Sequence, residues 1–350
     1  MGIYCVAHHI CSPIGATSQA NFEAIMDGKS ALRLHSDRFE LVEPFCASLF
    51  DEPKSFTQWC ILSIEQALQQ TQIDPTSQRV VFVISTTKGD NLQLSEPAMQ
   101  IQAHFRNPNQ PIVVSNACTS GVCAQITAMR LIESGACDTA IVVGCDVQTP
   151  FIVSGFQALK ALSQQPCKPF DKQRDGLNLG EAVATMIYTN QKPDKPCWQL
   201  VAGSICNDAN HISAPSRTAE GSYRCLQEIL PYAEQIDMIS THGTGTLYND
   251  AMEAVAIHRA GLDEVPIGAL KGFYGHTMGA ARVLETIISM LCLEYKIIPA
   301  ARGYEENGVE YPLNLSPKNR DLDHKPHDLI KMLSGFGGVN AAILLRYVNE

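Results

Sequence analysis

Short apolar runs punctuate the chain from end to end, and longer stretches of mixed polarity lie between them. The β-rich runs Val80-Val81-Phe82-Val83-Ile84, Ile112-Val113-Val114, Ala140-Ile141-Val142-Val143 and Met238-Ile239-Ser240 predict buried strands. Helix-length segments, such as Cys123 to Ser134 and Ala251 to Ala260, separate them. Strands alternating with helices imply crossover connections and hence a largely parallel sheet in an α/β fold. Ala341 to Leu345 predicts a last strand after a glycine-rich turn.

One polar, proline-containing break, Asn190-Gln191-Lys192-Pro193-Asp194-Lys195-Pro196, divides the chain into residues 1–190 and 191–350. Formal charge does not distinguish the halves, yet their patterns echo one another. In the first, strand Ile112–Val114 runs into Asn116-Ala117-Cys118-Thr119-Ser120-Gly121 and then a helix. In the second, strand Pro266–Leu270 runs into Lys271-Gly272-Phe273-Tyr274-Gly275-His276 and then a helix opening at Gly279-Ala280-Ala281. The reading is a duplicated fold with its site where the halves meet: 1–190 supplies a cysteine, and 191–350 supplies two histidines.

Composition narrows the class. Of 350 residues, 45% are hydrophobic and 18% charged, below the ~25% charged usage of ordinary soluble domains. Intrinsic disorder is excluded. So is a membrane-spanning helix, since no run approaches the ~18 apolar residues it needs. A net charge of -10 with no basic block argues against nucleic acid as a partner. The 13 cysteines are scattered without a CxxC pair, and the start lacks a signal peptide's basic and apolar regions. Val6 breaks the myristoylation pattern that Gly2 would begin. A reduced, cytoplasmic protein is expected.

Among the cysteines, Cys118 stands apart. It follows a strand directly and precedes Thr-Ser-Gly at a helix start, where free N–H groups favour a thiolate and lower the pKa. Cys137, Cys145 and Cys292 read as small core residues. His242, in Thr241-His242-Gly243-Thr244-Gly245-Thr246, and His276, in Tyr274-Gly275-His276-Thr277, are both flanked by glycine and hydroxyl residues. The spacing of a zinc site is missing around them, so no metal is expected. Lys271 lies five residues before His276, and Asp250 and Glu253 open the helix after His242. The acids complement a helix dipole, or one of them pairs with Lys271 in the interior. Gly335-Phe336-Gly337-Gly338-Val339-Asn340 is a glycine-rich turn, and no nucleotide-binding motif accompanies it.

Taken together, these motifs resemble the β-ketoacyl-[acyl-carrier-protein] synthases of the thiolase-like condensing-enzyme superfamily. The match runs in order through Ser12-Pro13-Ile14-Gly15, Asn116–Gly121, Pro169-Phe170-Asp171 with Arg174-Asp175-Gly176, and Leu179-Gly180-Glu181-Ala182. It continues through His242–Thr246 with Asp250 and Glu253, Lys271 with Gly275–Thr277 and Gly279–Ala281, and Gly335–Asn340. The resemblance implies a five-layer αβαβα thiolase-like fold and a Cys118-His242-His276 triad of the elongating type. It implies an acyl-enzyme on Cys118 and decarboxylative Claisen condensation with a malonyl thioester. Further implications are an oxyanion hole from the N–H groups of Cys118 and Phe336, a gate at Phe336, and a pantetheine tunnel lined by Thr244 and Thr246. Lys271, with Glu253 and Asp250 in support, would orient the histidine loops. No tightly bound cofactor is implied. Substrates would ride on phosphopantetheine, the partner would be an acyl-carrier protein, and the chain would form a homodimer or a heterodimer with a paralogue.

Three departures qualify the match. Arg282 replaces the glycine that usually ends GHTxGAAG, placing a cation near the helix of the second histidine. Ser334 replaces the first aromatic of SFGFGG, which is expected to loosen the gate. The chain is also shorter than typical members between about Thr76 and Pro111. The other readings are a non-catalytic chain-length-factor-like subunit, disfavoured by Cys118 and both histidines, and a thiolase acting on coenzyme A esters, disfavoured by His276. A cysteine hydrolase ranks below both. Lys160, Lys168, Lys172 and Arg174, with Arg217 and Arg224, are the expected basic patch for an acidic carrier, against the plain alternative of a solvated face.

Overall fold

The computed structural model describes residues 2–41 and 43–349. Ten strands form one hydrogen-bonded sheet: β1 Tyr4–Cys11, β2 Val80–Ser85, β3 Ile112–Val114, β4 Thr139–Asp146, β5 Ala182–Thr189, β6 Cys197–Asn207, β7 Ile236–Ser240, β8 Ile267–Gly268, β9 Asp328–Ser334 and β10 Val339–Val348. Their order is β8-β7-β9-β10-β6-β1-β5-β4-β2-β3. From edge to centre, β3-β2-β4-β5-β1 carries two parallel pairings and then two antiparallel ones. The run β8-β7-β9-β10-β6 repeats that order and those directions, each strand five places later in the chain. The two runs join where β1 pairs antiparallel with β6, Tyr4 opposite Gln199 and Cys5 opposite Trp198. The polar segment 190–196 lies between β5 and β6.

The helices are α1 Ser18–Met26, α2 Phe56–Leu68, α3 Ser95–His104, α4 Ser120–Glu133, α5 Pro150–Ala158, α6 Glu220–Ile229, α7 Leu247–Arg259, α8 Lys271–Tyr274 and α9 Ala281–Glu294. Every residue of α9 from Ala281 to Leu293 is buried, as a helix enclosed on all sides must be. It packs on α4, and the pair is sandwiched between the two runs of strands. The pair α2 and α3 covers the outer face of the first run, and α6 with α7 covers the outer face of the second. The result is the five-layer αβαβα arrangement.

Sequence patterning found the centres of most strands it named and placed some ends short. Val80–Ile84 and Ile112–Val114 lie within β2 and β3, while Pro266–Leu270 shrinks to the two residues of β8 because Leu270 turns into α8. The segment from Thr76 to Pro111 holds one strand, one helix and the approach to edge strand β3. Ser55 starts α2 with a reciprocal capping box to Gln58, and Thr149 caps α5 ahead of Pro150 at its first position. All 13 cysteines are free thiols.

Candidate active site

Cys118 stands in a tight turn between β3 and α4. Ala117 has φ +46°, a conformation that L-residues adopt only when the surroundings impose it. Here the side chains of Thr119 and Ser120 donate back to the carbonyls of Asn116 and Ala117, at 2.6 Å each, and lock the turn. Cys118 is 5% exposed. Two backbone N–H groups, its own and that of Phe336, lie close enough to the sulfur to favour its thiolate, and Gly335 packs against Cys118 and Thr119 at the start of α4. The thiolate expected from the helix start is not the resting form. Burial pushes the Cys118 thiol up, and the Arg282 and Lys271 cations with the two amides only partly offset it.

His242 follows β7, and its backbone N–H donates to Glu253 Oε1 at 2.6 Å. Its Nδ1 accepts from the guanidinium of Arg282. His276 is held by its neighbours' backbone: its N–H donates to Asn178 O at 2.7 Å, and its carbonyl accepts from Gly180 N at 2.9 Å. Gly275 allows this approach, because a Cβ there would lie 2.5 Å from Leu179 O at a φ of +67°. The ring's Nδ1 accepts from Met278 N at 3.1 Å. Burial, then nearby cations, hold both imidazoles well below the usual histidine range, so both are neutral. A neutral ring whose Nδ1 accepts must carry its proton on Nε2. His276 Nε2 is buried and has no hydrogen-bond partner among the described residues.

The two rings meet edge to face, with centroids 5.1 Å apart. The donor atoms of Cys118, His242 and His276 all lie within 4.8 Å of one another. That spacing would also suit a metal ion. The tautomers argue for another use, since both rings turn N–H bonds rather than lone pairs toward the shared space.

Lys271 is fully buried, but its partner is not the expected Glu253. It donates to Glu285 Oε1 at 2.7 Å, from the second turn of α9. Glu253 instead receives the N–H groups of His242 and Gly243, and Asp250 receives those of Thr244, Gly245 and Phe170. Both acids therefore brace the loop that carries His242, in place of complementing a helix dipole. Burial raises both, Glu253 to about 7. Glu285 also binds Arg282 and, at 2.8 Å, Lys331 on β9. Neither Glu285 nor Lys331 was a sequence candidate. The one hint was a lone charge in a largely apolar stretch, in Val283–Met290 and Leu329–Leu333.

A cavity of about 300 Å³ opens onto this centre, lined by Cys118, His242, His276, Thr244, Thr246 and Phe336 among others. The hydroxyls of Thr244 and Thr246 bond each other at 2.8 Å. Phe336 is half-buried and stacks on Phe156, centroids 5.8 Å apart. The turn that carries Phe336 is not loosened by Ser334. That hydroxyl meets Asn340 Oδ1 at 2.5 Å and Ser222 at 2.9 Å, tying both ends of the turn to α6. The expected basic patch dissolves in part: Arg174 is buried beneath Asp171, Gly308 and Asp250, and Lys172 pairs with Glu306. Lys160 stays exposed at the rim of the cavity.

Residues 98–192 match the family described as Beta-ketoacyl synthase, N-terminal domain, and residues 199–305 match Beta-ketoacyl synthase, C-terminal domain. A 3-oxoacyl-[acyl-carrier-protein] synthase 2 of Coxiella burnetii is 30% identical over 279 residues, which cover 74% of this chain and 67% of that protein. The chain belongs to the β-ketoacyl synthase family. A synthase of the same name from Rhizobium meliloti is 31% identical over 281 residues, and the match spans 65% of its length. The fold extends the likeness to the whole chain. A ketosynthase in complex with its chain length factor from Xenorhabdus doucetiae superposes with a TM-score of 0.87 at 24% identity, covering 99% of this chain and 98% of that one. Within the synthase framework, Arg282 reaches the first histidine, His242, and not the second as its position in the motif suggests.

Proposed function

We propose that the chain catalyses decarboxylative Claisen condensation: an acyl group on Cys118 reacts with a malonyl thioester to give a β-ketoacyl thioester. The observation that carries this reading is the pair of neutral histidines, each with its proton on Nε2, facing one buried thiol. Such a centre has a nucleophile and two fixed donors for an oxyanion, and it lacks a free imidazole lone pair to activate water. That disfavours hydrolysis.

In the first half-reaction the sulfur of Cys118 attacks an acyl thioester. The N–H groups of Cys118 and Phe336, already close to the sulfur, receive the tetrahedral oxyanion, each worth ~3 kcal/mol in the transition state. The thiol proton ends on the departing pantetheine sulfur, so the exchange is balanced. In the second, the malonyl C–C bond to the carboxylate breaks and its electron pair moves onto the thioester oxygen. The Nε2–H groups of His242 and His276 stabilise that enolate. The carboxylate leaves as carbon dioxide, the enolate carbon attacks the acyl carbonyl, the bond to Cys118 breaks, and the thiolate takes up a proton from solvent.

The substrates are assigned to a phosphopantetheine arm of an acyl-carrier protein, with Thr244 and Thr246 along its path and Phe336 as the gate. The lining of the cavity supports this, as do the carrier-protein names of the relatives. The two halves are read as copies of one unit, supported by the repeated order of strands. A paralogous partner subunit is the preferred assembly, since a similar fold occurs in a ketosynthase bound to its chain length factor. No helix among the described residues is long and apolar enough to cross a membrane.

The test is decarboxylation of a malonyl thioester in the absence of acyl donor. His276→Ala is expected to lower this rate by about 10²–10³-fold, the usual loss for one oxyanion donor. Acylation of Cys118 should stay within several-fold of the unaltered chain. Equal losses in both half-reactions would contradict the assignment of the histidine to the enolate.

A further inference from the structure

Arg282 occupies a place where a cation is unfavourable. It is fully buried, and it lies in the first turn of α9, where the helix dipole already presents positive charge. Its guanidinium nonetheless reaches across the layer between α4 and α9. One nitrogen donates to His242 Nδ1 and another to Glu285. Room for this is made on α4: a Cβ at Gly121 would lie 2.8 Å from Arg282 Cβ. Lys331 secures the same histidine from the other side, its ammonium donating to the carbonyls of Ser240 and Thr241 at 3.0 and 2.8 Å, just before His242. Glu285 is the carboxylate shared by Arg282, Lys271 and Lys331.

We infer that Arg282 is a positioning residue that keeps His242 permanently in its Nε2–H form, committing that ring to donate to the enolate and never to accept a proton from Cys118 or water. A guanidinium has donors only and does not lose its proton in proteins, so Nδ1 always faces a hydrogen. Glu285 anchors the guanidinium and also holds Lys271 and Lys331, whose ammonium groups burial pushes down, that of Lys331 to about 7. This rests on the proposed condensation for its role, but the state of the His242 ring can be read in the free enzyme without any reaction.

The groups facing His242 are Arg282 and Glu285 on α9, Lys271 on α8, Lys331 on β9, Asp250 and Glu253 on α7, His276, and Cys118. Burial, Arg282 and Lys271, in that order, hold the imidazole low. Removing Arg282 therefore raises His242 toward the ordinary range and frees Nδ1 to carry the proton that Nε2 otherwise holds. The same change removes a cation that favours the Cys118 thiolate, so acylation also slows, and it climbs with pH in both chains.

The experiment compares the intact chain with Arg282→Met and Arg282→Lys. Long-range ¹H–¹⁵N spectra of histidine-labelled protein, assigned with His242→Gln, are expected to show His242 as the neutral Nε2–H tautomer from pH 6 to 8. In Arg282→Met the ring is expected to become a mixture of tautomers. The malonyl decarboxylation kcat should fall by about 10–100-fold, less than loss of a donor outright, with KM within about twofold. Acylation of that variant should keep climbing with pH as the thiolate forms while decarboxylation stays low across the range, and Arg282→Lys should recover part of the loss. An Nδ1–H or charged His242 in the unaltered chain overturns the inference, even if the methionine variant does not fold. So does a folded Arg282→Met whose tautomer and decarboxylation are unchanged. If the unaltered chain shows the Nε2–H tautomer yet neither acylates nor decarboxylates, the proposed reaction fails while the role of Arg282 in fixing the ring stands.

Discussion

The chemistry of the site turns on where three protons sit. Cys118 keeps its own because burial outweighs the surrounding donors, and the two imidazoles keep theirs on Nε2 because each Nδ1 is already occupied. The folded thiol is raised above its ordinary value of 9.0. Acylation by a small thioester is therefore expected to climb with pH beyond 9 without levelling below it, and a plateau near pH 7 would show that the thiolate is the resting form. Glu253 titrates at about 7 in the folded chain against an ordinary 4.5. Its folded form holds the proton more tightly, so this stability is full below pH 4.5 and is lost as pH rises through 7. Glu253→Gln should escape that loss. Relative to the unaltered chain, its melting temperature should gain roughly 2–4 °C between pH 4.5 and 8. A difference that does not change with pH would remove the assigned titration. Cys118, His242 and His276 were legible because they sit among glycines and hydroxyls with no apolar face. Glu285 and Lys331 were not. Each is a lone charge in an apolar run, and only the packing of α9 against β9 and α8 brings them to one point.

At the level of elements, one device serves both halves: a strand ends, a turn presents a reactive side chain, and a helix from the central layer begins. The device was readable in the sequence around Cys118, because β3 is short and regular and α4 follows it without a long loop, and around His276 by the same pattern. Its lateral contacts were not readable. Leu179-Gly180, with Asn178 before it, proves to be a splint for His276. The Gly335–Asn340 turn, expected to be loose at Ser334, is pinned through Ser222 and Asn340. Close packing of α4 on α9 gives a direct test. A methyl at Gly121 would meet Arg282 Cβ at 2.8 Å and Gly279 O at 3.1 Å. Gly121→Ala is expected to destabilise the fold by ~1–3 kcal/mol, the usual range for overpacking. Because the strain falls on Arg282, decarboxylation should suffer more than acylation. Denaturant unfolding with no loss of stability would show that the layer yields more easily than the packing suggests.

Across the whole molecule, the two five-strand runs meet at β1 and β6 and bring a thiol from one half against two imidazoles from the other. The polar break at 190–196 and the echoing turns hinted at this pairing. The strands flanking the join stayed hidden: β1 and β6 mix polar with apolar positions and gave no continuous apolar run. In the cavity that opens onto the thiol and the two imidazoles, Cys118 is expected to take up an acyl group as a covalent thioester. Intact-mass measurement after incubation with acyl-carrier thioesters of graded chain length tests this most directly. The predicted result is a mass increase equal to the acyl group for at least one chain length, absent in Cys118→Ala and discharged by malonyl thioester. No mass increase with any thioester, with or without a paralogous partner, or an increase that persists in Cys118→Ala, would contradict it.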